Sequence, residues 1–221
     1  MKLLIRNTHK YLSLFISIQL LLWTISGIYF AFNKIENVRG EQYRNSYYQN
    51  INLNNIGFEI PTSEKVTVRK IKDKIIVAAL TKAGMTYFDE NGTPLDKISK
   101  DEAKELVRLH TSLSPISSEV IENSKKGSEF RGRDLPIFKV VTRNDNDNLI
   151  NVYLNIYSGE IVAIRSNQWR IWDLMWGLHI MDWQERDNID NLLLKFFSIL
   201  ALISAISGIL LFFKVEIRKE V

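Results

Sequence analysis

Three histidines, at positions 9, 110 and 179, and no cysteine set the chemistry open to this chain. Without a thiol there is no disulfide framework, thiolate zinc site, iron–sulfur cluster, thiol nucleophile or covalent C-x-x-C-H haem attachment. Neutral imidazole is the usual nitrogen ligand to the iron of a b-type haem, so His9 and His179 are candidate haem ligands. The plainer role for His9, beside Lys10, is an interfacial residue at lipid headgroup level. His179 stands in a series. Trp169, Trp172, Trp176, His179 and Trp183 alternate steps of three and four, the spacing of one helix face, which Met175 and Leu178 widen. Such an aromatic stripe belongs to a helix lying in a membrane interface and is not by itself evidence for a cofactor. His110 closes a stretch from Lys100, where a cationic ring favours a helix C-terminus, and reads as structural.

Other catalytic patterns are missing. The chain has no H-E-x-x-H, G-x-S-x-G or Walker-type loop. The acidic pairs Asp89-Glu90, Asp101-Glu102 and Asp145 with Asp147 fall where turns and helix starts favour carboxylates. No metal site is expected. Lys125, Lys126, Arg131 and Arg133 form a basic cluster that reads as a solvated loop. With 29 basic and 25 acidic residues the net charge is +4, and no long basic run marks a nucleic-acid binder.

Two apolar runs must position these groups. Tyr11 to Phe32 carries no charge for about 22 residues, roughly 33 Å of helix against a hydrocarbon core of about 30 Å. It is longer than a signal-peptide core and lacks a small-x-small exit, so it reads as an uncleaved anchor. Phe196 to Phe213 is a second uncharged run, which Leu192, Leu193, Leu194 and a snorkelling Lys195 extend. Lys2, Arg6 and Lys10 precede the first run, and Lys214, Arg218 and Lys219 follow the second. The positive-inside bias therefore puts both termini in the cytoplasm. The expected layout is a tail over 1–10, a membrane helix over 11–33, an extracytoplasmic domain over 34–167, a Trp-rich interfacial helix and linker over 168–190, a second membrane helix over 191–213 and a tail over 214–221. Ile25-Ser26-Gly27 recurs as Ile206-Ser207-Gly208, and the pairs Ser13 with Ser17, Ala201 with Ala205 and Ser204 with Gly208 keep four-residue spacing. Such small residues let helices approach closely in lipid.

The polar domain reads as α+β. Val66–Ile71 and Lys74–Leu80 are expected strands around a Lys72-Asp73 turn, and Met85–Phe88 is a third. Ser99 and Glu102 form a capping box that opens a helix running to His110. Thr111 to Asp134 reads as mostly loop with one helical turn or two. Strands follow at Ile137–Arg143, Leu149–Ile156 and Glu160–Arg165, then a helix from about Gln168. Strand, strand, strand, helix thus occurs twice, as antiparallel sets packed by helices.

The hairpin around Tyr153-Leu154-Asn155-Ile156-Tyr157-Ser158-Gly159-Glu160-Ile161 resembles the closing hairpin of a PepSY domain. His9-Lys10-Tyr11-Leu12, Leu22-Trp23, Ser26-Gly27 and Val38-Arg39-Gly40-Glu41 are similar to the opening of PepSY-associated transmembrane proteins. Trp169-Arg170, Leu178-His179-Ile180-Met181-Asp182 and Ser207-Gly208 resemble their closing segment. The likeness covers both ends and the second strand set well, and residues 44–135 loosely. It implies a PepSY-like outer domain on a two-pass protein of a bacterial inner membrane. The expected role is a non-catalytic accessory or assembly subunit of a metal-uptake or membrane redox system. Its partners would be the lipid bilayer and another membrane protein or a second copy, and no nucleic acid. Arg39, Glu41, Trp169, Trp172, Trp176, Asp182 and Trp183 are the candidate interface residues. Two alternatives follow from the same resemblance: an electron-transfer subunit holding haem b through His9 or His179, and a propeptide-like regulator of a protease. His9 and His179 flank opposite ends of the first span, so they cannot ligate one iron.

Overall fold

The computed structural model describes residues 2–45, 50–72 and 74–216, and they form two compact units. Asp73, half of the expected turn, and the tail beyond Glu216 lie outside the described residues.

The first unit, Glu36–Trp169, is α+β with two antiparallel sheets. Strands β1 (Lys65–Ile71), β2 (Lys74–Thr81) and β3 (Gly84–Phe88) follow one another in a three-stranded sheet. Its middle strand carries the burial: Ile75, Val77 and Ala79 alternate to one face and are nearly inaccessible. Helix α3 (Lys100–His110) starts where the capping box requires, with the Ser99 hydroxyl accepting the Glu102 amide at 3.1 Å. It buries Ala103, Leu106 and Val107, one helical stripe, in a core with Val140, Val152, Leu154 and Ile164.

The second sheet has four strands, β4 (Ser114–Ile121), β5 (Ile137–Arg143), β6 (Leu149–Asn155) and β7 (Ile161–Arg165), in that order. The expected loop over Thr111–Asp134 is therefore wrong in its first half. Strand β4 is an edge strand with a proline and a register shift between Pro115 and Ser117. Its apolar residues Ile116 and Val120 stay exposed, so no inward alternation marks it in the sequence. The chain is accordingly not a twofold repeat: a three-stranded set is followed by a four-stranded one.

In the loop after β4, Lys125, Lys126 and Arg133 are exposed, whereas Glu129 and Arg131 are half-buried. The Glu129 carboxylate accepts the Asn151 amide at 2.7 Å and the Tyr153 hydroxyl at 3.0 Å, and its carbonyl accepts Arg165 Nε at 2.9 Å. Burial and the adjacent Glu129 push the Tyr153 hydroxyl's pKa well up. Arg165 and Arg131 lie over the Trp169 ring at 4.4 and 5.5 Å.

The second unit, within its described residues 2–35 and 170–216, is built of helices. Helix α1 runs unbroken over Lys2–Phe32, so residues 2–10 continue the helix of the expected span and His9 is part of the rod. Between α1 and the first sheet, the chain makes a short helix α2 (Ile35–Val38). Helices α4 (Asn167–His179) and α5 (Leu192–Glu216) complete the set, with the boundary between the units falling in the first turn of α4. Segments Leu3–Phe32 and Leu192–Phe213 are long and apolar enough to cross a membrane.

Helices α1 and α5 pack side by side. Ile16, Gln19 and Ser26 of α1 and Ser204 and Ser207 of α5 are all buried, Gln19 and Ser26 reaching Leu178 and His179 of α4, while Leu14, Ile18, Leu21, Leu202, Ile206 and Phe213 face outward. Polar residues inside and large apolar residues outside invert the arrangement of a water-soluble helix pair.

Candidate functional site

The imidazole of His179 is held in the helical unit by Ser26 and Phe30 of α1 and by Trp176 of its own helix. His179 is the last residue of α4, and its carbonyl accepts the Trp23 indole N–H at 2.6 Å. Its Nδ1 lies 2.7 Å from Ser26 Oγ. The Ser26 hydroxyl has one hydrogen, directed at the Leu22 carbonyl at 2.7 Å and the Trp23 carbonyl at 3.1 Å. With that hydrogen on its own helix, the hydroxyl accepts from the ring. In that arrangement His179 carries its hydrogen on Nδ1 and presents a lone pair at Nε2, and burial lowers its pKa, which favours the neutral form.

Aromatic rings surround it. Trp176 stacks on the imidazole with planes 9° apart and centroids 6.4 Å apart, and Trp172 stacks on Trp176 at 14° and 5.6 Å. Phe30 meets His179 edge-on at 5.6 Å and touches both indoles, at 5.1 Å from Trp172 and 6.2 Å from Trp176. Trp172, Trp176 and His179 are thus the rungs of one ladder, as their spacing predicts. Trp169 and Trp183 do not join it. Trp169 is covered by Arg165, as above, and Trp183 lies past the end of α4 and is 55% exposed. The run from Trp169 to Trp183 is therefore not one helix face, because the helix stops at His179.

Asp182 explains the stop. Met181 takes a left-handed backbone, and the Asp182 carboxylate then accepts three amides: Glu185 at 3.1 Å, Asp187 at 3.1 Å and Asn188 at 3.0 Å. Burial works against its charge, but the amides of Asn188, Asp187 and Glu185 outweigh it and hold the carboxyl below its usual range. Arg186 folds back to the buried Asp173 at 2.8 Å, passing over Gly177, where a side chain would crowd it. The Asn191 side chain closes the segment, donating to the Ile180 and Asn188 carbonyls and accepting the Leu194 amide at the head of α5. Asp182 is a loop organiser.

At the other end of α1, His9 meets α5. Its Nδ1 is 3.1 Å from the Ser204 carbonyl, which can only accept, and 2.9 Å from the Ser207 hydroxyl. His9 therefore also carries its hydrogen on Nδ1. Ser13 and Ser204 hydroxyls pair at 2.8 Å beside it, and Gly208 leaves room for the ring, since a Cβ there would stand 3.1 Å from His9 Cε1. The points of contact on α1, His9 and Ser26, are roughly 25 Å apart at about 1.5 Å per residue. A haem b, which the resemblance implies, would find one imidazole nitrogen at each end and no second axial histidine beside either among the described residues. A bis-histidine iron within one chain does not fit. Nor do the described residues contain any cluster of three or more His, Asp or Glu able to hold a metal ion.

The remaining candidates lie in the other unit. Arg39 is exposed, and Glu41 pairs with Arg44 at 3.3 Å. Between them Gly40 has φ +80°, and a Cβ on it would stand 2.7 Å from the Ile164 side chain. The glycine is the constrained member of that motif. What the sequence alone did not single out is Phe30 as the neighbour of His179. The small-residue spacing did point at Ser26, Ser204, Ser207 and Gly208, though not at the histidines they meet.

No family model, curated protein or solved structure matches this chain.

Proposed function

We propose that this chain is a two-pass protein of a bacterial inner membrane, both termini cytoplasmic, carrying a PepSY-like α+β domain on the outer face. Its work is binding and assembly: it serves as a non-catalytic accessory subunit of a metal-uptake or membrane redox system. The observation that supports the membrane reading is the inverted helix pair. Ser204, Ser207 and Ser26 are buried between or beside the helices while Leu14, Ile18, Leu202 and Phe213 face out, an arrangement favourable in lipid and costly in water. The accessory reading rests on the lack of a catalytic constellation in the motifs above and on there being two membrane-length helices among the described residues, too few for a self-contained transmembrane electron path. Alkaline carbonate extraction tests the first part: the chain should stay in the membrane pellet. Purification in mild detergent tests the second: a defined membrane protein should co-purify in stoichiometric amount, and a monodisperse monomer with no companion contradicts it.

A further inference from the structure

The Nε2 of His179 has no hydrogen-bond partner among the described residues, while Nδ1 is committed to Ser26. A neutral imidazole in this tautomer can do one thing at its open nitrogen, which is accept. The nearest surroundings are flat and apolar: the Trp172–Trp176–His179 ladder, with planes 14° and 9° apart, and Phe30 against all three rings. A flat ring can extend such a ladder, whereas an aliphatic chain gains no plane-to-plane contact from it. Ser26 and Phe30 belong to the candidate span Leu3–Phe32, so a ligand reaching them comes from an apolar phase. A metal ion lacks companions here, as no cluster of three ligating side chains exists among the described residues.

We infer that His179 accepts a hydroxyl hydrogen, at Nε2, from a planar lipid-soluble aromatic alcohol of the quinol class, held against Trp172, Trp176 and Phe30. Ser26 is a positioning residue: it fixes the tautomer that makes Nε2 an acceptor. A quinol offers the O–H this nitrogen needs. The corresponding quinone offers only carbonyl oxygens, which meet the lone pair unfavourably. The site therefore discriminates the reduced from the oxidised carrier. The inference rests on the membrane placement proposed above.

The test uses the full chain in phosphatidylcholine nanodiscs, with tryptophan emission as readout and decylubiquinol, kept reduced without air, compared with decylubiquinone. The expected result is saturable quenching with the quinol bound about tenfold more tightly, the scale of one hydrogen bond to a buried acceptor. His179→Phe should abolish that preference, and His179→Gln, which keeps an acceptor, should retain part of it, helix content of both being checked by circular dichroism. Equal affinity for the two forms, or a preference that survives in His179→Phe, overturns the inference. So does a Soret band in the purified protein that His179→Phe removes, since Nε2 would then belong to iron. Release of the chain by alkaline carbonate would end the membrane reading, whereas a membrane-embedded chain with equal affinities would end this inference alone.

Discussion

Ser26 Oγ and His179 Nδ1, 2.7 Å apart, tie the end of α4 to α1 across 153 positions of sequence. The hydroxyl accepts from the ring and donates to its own helix, so one serine sets both the position and the tautomer of the imidazole. Replacing it should leave a half-buried N–H without a partner. In Ser26→Ala, we expect nitrogen NMR of the His179 ring to show a mixture of tautomers where the parent shows Nδ1–H alone. The melting temperature in detergent should fall by the equivalent of about 1–3 kcal/mol. An unchanged ring spectrum would contradict the hydrogen bond.

Gly208 makes the second helix contact. A leucine there would occupy the space of the His9 ring and displace it from the Ser204 carbonyl. Gly208→Leu should lower thermal stability in detergent by the equivalent of about 1–3 kcal/mol. The same change made in a His9→Ala background should cost much less, because the clashing ring is gone. Additive losses in the double variant would mean that the two positions do not meet.

In the sheet unit, Gly40 combines a left-handed backbone with close approach to Ile164, which is 0% exposed. Gly40→Ala adds a strained backbone and a clash against a side chain with no room to yield. A loss of about 2–4 kcal/mol is expected in urea unfolding of the full chain. Gly27→Ala is the control, since a Cβ there meets nothing within 4 Å. Equal effects of the two changes would contradict the packing described.

Asp182 predicts an acid-dependent loss. Its folded carboxyl is held below the ordinary value of about 3.9, so its contribution is complete above that pH and disappears as pH falls through the folded pKa. At pH 6 the parent should melt higher than Asp182→Asn. The two should converge as the pH falls through the folded pKa, below which the parent's carboxyl is also neutral. A gap that stays constant over that range would show that the carboxylate's charge does not hold the loop.

Much of the strand pattern was legible because buried strands read as short apolar runs between turn residues: Ile75-Ile76-Val77-Ala78-Ala79-Leu80 writes β2 into the sequence, and the Ser99–Glu102 box writes the start of α3. Edge strand β4 was not legible, because Ile116 and Val120 face solvent and Pro115 argues against a strand. The ends of helices behaved the same way. Spacing put Trp183 on the face of Trp176, but spacing cannot show that Met181 turns left-handed and that Asp182 gathers three amides. The histidines were visible as candidates, yet their tautomers depend on Ser26 and Ser204, residues far away in sequence, and only the packed structure supplies those.

Because the chain has no cysteine, its topology can be mapped with single introduced thiols. In spheroplasts treated with a membrane-impermeant maleimide, Asp96→Cys, at an exposed position of the sheet unit, should label at once. Asn7→Cys and Lys219→Cys should label only after the membrane is opened. Labelling at 7 or 219 in sealed spheroplasts, or protection at 96, would contradict a two-pass protein with its α+β domain outside.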